Sequence, residues 1–284
     1  MPSNSKFSYI HHEIVPVENA FLHVRDLSIQ RGYGIFDFFK IHDGHPYFLD
    51  DYLDRFYNSA AIMHLTVPHT REELKSVIYT LIEKNDIAES GIKMILTGGY
   101  SEDGYQPAEP NLIITQHSLT LPGEDQIKNG VKIITHEYGR DLASAKTINY
   151  SIGIWLINKV KESKAMDVLY HQHGIVSEFP RCNLFIVRKD NTIVTPAHHV
   201  LHGITRKNIL KLAAKRYRAE EAIVTLDDIC QAKEAFLTST TKRIVPIVQI
   251  NETQIGNGKP GEVSLSLLKD LIALEDADYK AKVF

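Results

Sequence analysis

Four short stretches of this 284-residue chain carry side chains whose types and spacing suit chemistry. The first is Ser144-Ala145-Lys146-Thr147-Ile148-Asn149-Tyr150, in which a lysine stands just before an amphipathic helix expected over 149–163. Burial and the positive end of a helix dipole both disfavour an ammonium group. Lys146 is therefore expected to lean toward the free amine, the form that attacks an aldehyde. The second stretch, Val176-Ser177-Glu178-Phe179-Pro180-Arg181-Cys182-Asn183-Leu184-Phe185, places a glutamate between two strands, where it could accept a hydrogen bond from a protonated ring nitrogen. The third, His202-Gly203-Ile204-Thr205-Arg206, opens a helix. Its unpaired backbone N–H groups and the Thr205 hydroxyl suit an anion, and Gly203 lets the backbone come close. The fourth, Leu237-Thr238-Ser239-Thr240-Thr241, is a strand ending in hydroxyls that can close on a phosphate. Each stretch also has an ordinary reading: a solvated lysine, a turn carboxylate, a helix cap and a hydroxyl-rich turn.

The elements that must position these residues fall into two α+β lobes. In the first, Phe36–His42 reads as a strand closed by an Asp43-Gly44 turn. A helix follows, with Leu49, Leu53, Phe56, Tyr57, Ala60 and Met63 on one 3.6-residue face. Thr70-Arg71-Glu72-Glu73 has capping-box spacing and predicts the start of a second helix. Lys93–Thr97 and Asn111–Thr115 are strand-like and flank a Gly/Pro-rich loop. Around residues 118–126 the periodicity fades, as expected of a connection between lobes 1–117 and 127–284. Beyond it, strands are predicted near 131–135, 168–171, 175–177, 183–187, 192–195, 235–238 and 247–250. Helices are predicted over 149–163, after Gly203, at 226–231 and at 263–272.

Composition narrows the partners. Net charge is −3 with no block of Lys and Arg, which gives no electrostatic case for nucleic acid or an acidic membrane. No apolar run approaches the roughly 20 residues of a membrane span. Two distant cysteines, Cys182 and Cys230, do not make a disulfide framework, and the opening residues lack a signal-peptide pattern. A cytoplasmic location is the resulting expectation. His11-His12-Glu13 and His198-His199 are not expected to bind metal, because adjacent strand residues face opposite ways.

Taken together and in order, the four stretches resemble the class IV aminotransferases, the fold-type IV group that includes branched-chain and D-amino-acid aminotransferases and 4-amino-4-deoxychorismate lyases. The resemblance spans nearly the whole chain and is strongest from Lys146 to Pro246. It implies a two-lobed α+β fold with a small N-terminal and a larger C-terminal lobe, and pyridoxal 5'-phosphate as cofactor. It makes Lys146 the catalytic Schiff-base lysine and Glu178 the partner of the pyridine nitrogen. Gly203, Ile204 and Thr205 become the phosphate loop, with Ser239 and Thr240 closing it. Arg55, in Tyr52-Leu53-Asp54-Arg55-Phe56-Tyr57-Asn58-Ser59-Ala60, takes the place of a phosphate arginine, and Tyr150 that of a phenol beside the cofactor's 3-oxygen. The resemblance also implies a homodimer whose active site lies at the lobe interface and is completed by a second subunit.

On the substrate side the resemblance places Phe36 beside the cofactor and Thr241 at the end of the phosphate turn. D-amino-acid enzymes of the family carry an arginine after a first-lobe strand, where this chain has Thr97-Gly98-Gly99. Lys93 and Arg181 are the cations that could hold a substrate carboxylate instead. The leading expectation is an enzyme moving an amino group between a branched-chain-like L-amino acid and a 2-oxo acid such as 2-oxoglutarate. The alternatives are the aminodeoxychorismate lyase reaction, a D-amino-acid transaminase and a non-catalytic cofactor-binding protein.

Overall fold

A computed structural model describes residues 5–119, 121 and 123–282. Thr120 and Pro122, within the expected connection at 118–126, lie outside the described residues. The chain divides into two compact units. One gathers the residues up to Leu119 with Ala145–Asn149 and the chain from Asp278; the other holds residues from Leu121 to Ser144 and Tyr150–Ala277.

The first unit contains β1 (Phe7–Ile10), β2 (Glu13–Pro16), α1 (Leu27–Arg31), β3 (Gly34–His42), β4 (His45–Pro46), α2 (Leu49–Ile62), α3 (Arg71–Asn85), β5 (Glu89–Thr97) and β6 (Leu112–Ser118). Its strands form one sheet in the order β2-β1-β6-β5-β3-β4, every neighbour antiparallel. Alternation along β3 sorts its residues. Ile35, Asp37, Phe39 and Ile41 point to a fully buried face, and α2 packs on β3. Phe36 and Phe38 point to the other face and are only half-buried. The expected capping box is present: Thr70 accepts from the Glu73 N–H while the Glu73 side chain accepts from Thr70 N. Asn85, at the far end of α3, accepts from the N–H groups of Lys6 and Phe7 and ties β1 down.

The second unit contains α4 (Glu124–Asn129), β7 (Val131–Glu137), α5 (Ser151–Trp155), α6 (Ile157–Glu162), β8 (Asp167–Gln172), β9 (Ile175–Val176), β10 (Asn183–Val187), β11 (Ile193–Pro196), α7 (Ile204–Ala213), β12 (Ala219–Ala222), α8 (Leu226–Gln231), β13 (Glu234–Ser239), β14 (Arg243–Ile250), β15 (Thr253–Gln254) and most of α9 (Glu262–Lys282). The strands form a mixed sheet in the order β12-β11-β10-β13-β14-β7-β8-β9, with β15 beside β14. Both faces of its centre are buried, so β10, β13 and β14 read as nearly continuous apolar runs. Leu184, Ile186, Leu237 and Val245 serve one core. Phe185, Val187, Phe236 and Ile244 serve the other, covered by Ile209 and Leu212 of α7 and by Val263 and Leu267 of α9.

One expected element is corrected. The helix predicted over 149–163 is two short helices, α5 and α6, broken at Leu156. Leu156 is buried against Val168 and Tyr170, but the neighbouring Trp155 is 71% exposed. The final helix runs well past its predicted end at 272. No helix among the described residues is long and apolar enough to cross a membrane.

Candidate active site

Lys146 lies in an extended segment rather than at a helix mouth, which corrects the expected setting. Helix α5 starts only at Ser151, so the segment 145–149 is free to pair with the edge of β3 left open beyond β4. The Phe36 N–H donates to Lys146 O (2.9 Å), the Ile148 N–H donates to Gly34 O (3.1 Å), and Ile35 bridges Thr147. This register sends Lys146 to the same face as Phe36. The Lys146 ammonium stands 4.6 Å from the centre of the Phe36 ring, within cation–π range. Its backbone N–H also donates to Ser59 Oγ of α2 (3.2 Å). Gly34 is required here, because a Cβ would crowd Leu96 O and the Ile148 side chain.

On the Phe36 face, Ile95 and Ile113 complete one cross-strand row and Phe38, Lys93 and Thr115 form the next. Lys93 is half-buried. Thr115 Oγ1 and His117 Nε2 are 2.8 Å apart, and the His117 ring is held below its usual pKa by desolvation and then by the Lys93 charge. Arg55 is nearly buried and grips Asp37 with two nitrogens, Nε at 2.9 Å and Nη2 at 2.6 Å. Asp37 points to the opposite side of β3 from Phe36. The Thr97-Gly98-Gly99 segment serves the backbone: Thr97 Oγ1 donates to the buried Asp26 (2.7 Å), the Gly98 N–H donates to Tyr33 O (3.1 Å), and Gly99 has φ +79°.

In the second unit Glu178 is buried and surrounded by donors. Arg140 Nη1 lies 2.5 Å from Oε1, the Leu201 N–H donates to Oε2 at 2.9 Å, and Asn183 Nδ2 reaches Oε2 at 3.4 Å. Asn183 Nδ2 also donates to Leu201 O (2.9 Å), and its Oδ1 sits where any Cβ on Gly203 would collide. The glutamate, the start of β10 and the approach to α7 are thus one hydrogen-bonded group. Gly203 is the N-cap of α7 with no side-chain cap, and Ile204 and Thr205 begin the helix. The first intrahelical bond is donated by Lys207 N to Gly203 O, so the N–H groups of residues 204–206 have no earlier carbonyl within the helix.

Arg206, the last residue of the Gly-Ile-Thr-Arg stretch, turns away. It is buried, paired with Glu221 and bonded to Pro196 O (2.9 Å). Antiparallel pairing of β10 with β13 sets Asn183 opposite Thr238, so the Ser239-Thr240-Thr241 turn begins at the same strand ends as the Glu178 group. Ser239 Oγ is buried with no ordinary hydrogen-bond partner beyond the neighbouring Cys182 thiol. Burial pushes that thiol's pKa up, and Lys242 lies 3.6 Å from its sulfur. Tyr150 is the half-buried N-cap of α5. Arg181 is exposed.

The residues singled out in the sequence therefore gather as follows. The first unit places Lys146 with Phe36, and Lys93 one row along. The second places Glu178, Gly203, Ile204, Thr205 and the Ser239–Thr241 turn at one end of β10 and β13. Sequence reading missed Asp37 and Arg140. A lone acid in the apolar run Ile35-Phe36-Asp37-Phe38-Phe39 was a usable signal for the first. Nothing local marked the second. Among the described residues no group of three or more His, Cys, Asp or Glu could hold a metal.

The sequence pattern described as amino-transferase class IV matches residues 34–250, and the chain belongs to that family of pyridoxal-phosphate-dependent transaminases. It is 29% identical to the D-alanine aminotransferase of Listeria monocytogenes serotype 4b (strain F2365), over 91% of this chain and 92% of that one. It is also 29% identical to a putative branched-chain-amino-acid aminotransferase of Methanocaldococcus jannaschii, over 91% and 93%. The fold matches the branched-chain amino acid aminotransferase of Escherichia coli, with a TM-score of 0.88 at 22% identity over 95% of this chain and 94% of that one. A hypothetical aminotransferase from Mycobacterium tuberculosis in its PLP-bound form gives a TM-score of 0.81 at 21% identity, over 96% and 98%. The residues present suit the cofactor: a half-buried lysine amine, a buried carboxylate, an uncapped helix N-terminus beside a glycine, and a buried Ser239 hydroxyl beside only the Cys182 thiol.

Proposed function

We propose that the enzyme transfers the amino group of branched-chain-like L-amino acids to a 2-oxo acid such as 2-oxoglutarate. The observation that carries this reading is the row Phe36-Ile95-Ile113 on the face shared with Lys146, an apolar surface suited to an aliphatic side chain. Lys93 in the adjoining row is the cation for a substrate carboxylate, and the neutral His117 leaves that cation without a second charge beside it. Arg181 and Thr241 are further candidates for the substrate. Preference for the L-form is supported by Thr97-Gly98-Gly99, which carries no cationic side chain.

Pyridoxal phosphate, when bound, supplies an aldehyde for condensation with amines and a cationic ring that draws electrons from the substrate Cα. Lys146 is the residue to hold it covalently. The Lys146 amine would carry the cofactor and, when free, would be the base that moves the proton at the substrate Cα. Glu178 would accept from the ring nitrogen of the cofactor, and Arg140, Leu201 N and Asn183 hold its carboxylate in place. The N–H groups opening α7, with Thr205, Ser239 and Thr240, suit the phosphate. Arg55, fixed by Asp37, adds positive charge for it, and Tyr150 is assigned to the 3-oxygen.

The test is the visible spectrum of the purified protein and of Lys146→Ala, before and after adding L- and D-amino acids. A band that needs Lys146 and bleaches with L-leucine, L-isoleucine or L-valine bears the reading out. Bleaching by D-amino acids alone would replace it with a D-specific transaminase. Pyruvate release from aminodeoxychorismate without bleaching would replace it with the lyase.

We also infer a homodimer. In the second unit Leu142, Ile154, Trp155 and Ile157 are exposed within one short stretch of chain, more apolar surface than a lone subunit gains by showing. Sedimentation of the wild type and of Trp155→Lys tests it: a dimer weakened by the lysine is expected, and a monomeric wild type would refute it.

A further inference from the structure

Asn208 is one turn inside α7 and 95% buried, at 5% relative exposure, yet its side-chain Nδ2 meets no hydrogen-bond partner. A buried amide left so costs free energy on the order of 1–3 kcal/mol. Native structures rarely carry such a group unless something outside the chain satisfies it. The helix geometry says where that something lies. Asn208 shares a face of α7 with Ile204 and Thr205, four and three residues earlier, and Cα–Cβ bonds on a helix tilt toward its N-terminus. The Asn208 amide therefore leans back toward the unpaired N–H groups that open α7. Helix α7 packs on β13, whose last residues lead into the Ser239–Thr241 turn. An uncapped helix start and an unpartnered buried donor one turn along the same helix call for the same missing partner: an anion with several acceptor oxygens.

We propose that Asn208 is a cofactor-binding residue, its side-chain amide donating to the phosphate group held at the start of α7. This rests on the reading that the chain binds pyridoxal phosphate there. A phosphate offers enough acceptors for the amide in addition to the backbone N–H groups and the Thr205 hydroxyl. Asn208 takes no part in proton transfer; it adds one donor and fixes the anion's depth along the helix axis.

The experiment uses full-length protein freed of cofactor, and titrates it separately with pyridoxal phosphate and with pyridoxal, which lacks the phosphate. The proteins are wild type, Asn208→Ala and Asn208→Asp. Loss of a hydrogen bond to a charged acceptor predicts about tenfold weaker pyridoxal phosphate binding by Asn208→Ala, with pyridoxal binding unchanged. Asn208→Asp, of the same shape but negative beside the phosphate, should weaken it further, and it keeps the test open should the alanine variant not fold. Inorganic phosphate should raise the melting temperature of the wild type more than that of either variant. The assignment is overturned if both variants bind pyridoxal phosphate as the wild type does, or lose both ligands equally. A wild type that binds no pyridoxal phosphate would instead overturn the underlying reading, and this one with it.

Discussion

Glu178 accepts from three kinds of donor: the Arg140 guanidinium, the backbone N–H of Leu201 and the Asn183 amide. Removing one partner of such a buried pair costs far more than the pair itself contributes, because the other charge stays behind in a low dielectric. Arg140→Met is therefore expected to lower stability by about 3 kcal/mol, and Glu178→Gln in that background should recover part of it. Denaturant midpoints of the two variants would show whether the charge, rather than the packing of the arginine, is what matters. Gly203→Ala is a second residue-scale case. Its methyl group would strike Asn183 Oδ1 and loosen the amide that serves Glu178 and Leu201. Cofactor affinity should fall severalfold while the fold persists, and unchanged affinity in a titration would argue against this linkage. Lys146 and Glu178 could be singled out in the sequence because each stands in a short stretch, and the order of those stretches carries the family resemblance. Asp37 and Arg140 were harder, since each acts through a partner, at Arg55 and Glu178, that only tertiary structure supplies.

Among the elements, α9 depends on a single acid. The buried Glu234, at the start of β13, accepts from the N–H groups of Val263 (3.1 Å) and Ser264 (2.9 Å). It acts as an N-cap supplied from a distant strand, reinforced by the helix dipole. Glu234→Ala should cost about 2 kcal/mol, toward the upper end for a lost cap, and Glu234→Gln less, both measurable by chemical denaturation. An alanine variant as stable as wild type would mean the helix does not need this cap.

The elements that were legible share a local signal. The Asp43-Gly44 turn and the Thr70 capping box each declare themselves within four residues. Those that were missed do not. In β12, Ala219-Glu220-Glu221-Ala222 has no β-branched or aromatic residue and is a strand only because β11 lies alongside it. The hairpin of β1 and β2 turns through His11 and His12 at φ 50° and 64°, without the glycine that usually marks such a turn. The helix read over 149–163 had the right apolar spacing, and Ile152, Leu156 and Val160 do share one cluster, but that spacing does not reveal the break at Leu156.

For the whole molecule, titration offers a global test. The Tyr170 phenol is buried, and desolvation raises its pKa well above its ordinary value of 10.0. A phenol kept neutral by the fold makes the folded state bind more protons than the unfolded one above that value. Stability is then fully present below about pH 10 and falls as pH rises through it. Tyr170→Phe should flatten this alkaline loss, as followed by denaturant midpoints between about pH 9 and about pH 11. An identical slope in the variant would assign the loss to other groups.

The five residues Ala145–Asn149 belong with the first unit although the chain on either side belongs with the second, and the chain returns to the first unit again at Asp278. The polypeptide thus passes from one unit to the other four times. No single cut, whether by a protease, by a truncated gene or by a designer seeking a minimal fragment, can release either unit complete. A fragment ending near residue 120 would keep the six-stranded sheet and Phe36 but lack the lysine. The complementary fragment would keep the lysine but lose the strand edge that holds it. The setting of Lys146 is therefore all or nothing: it needs chain from both sides of any single cut.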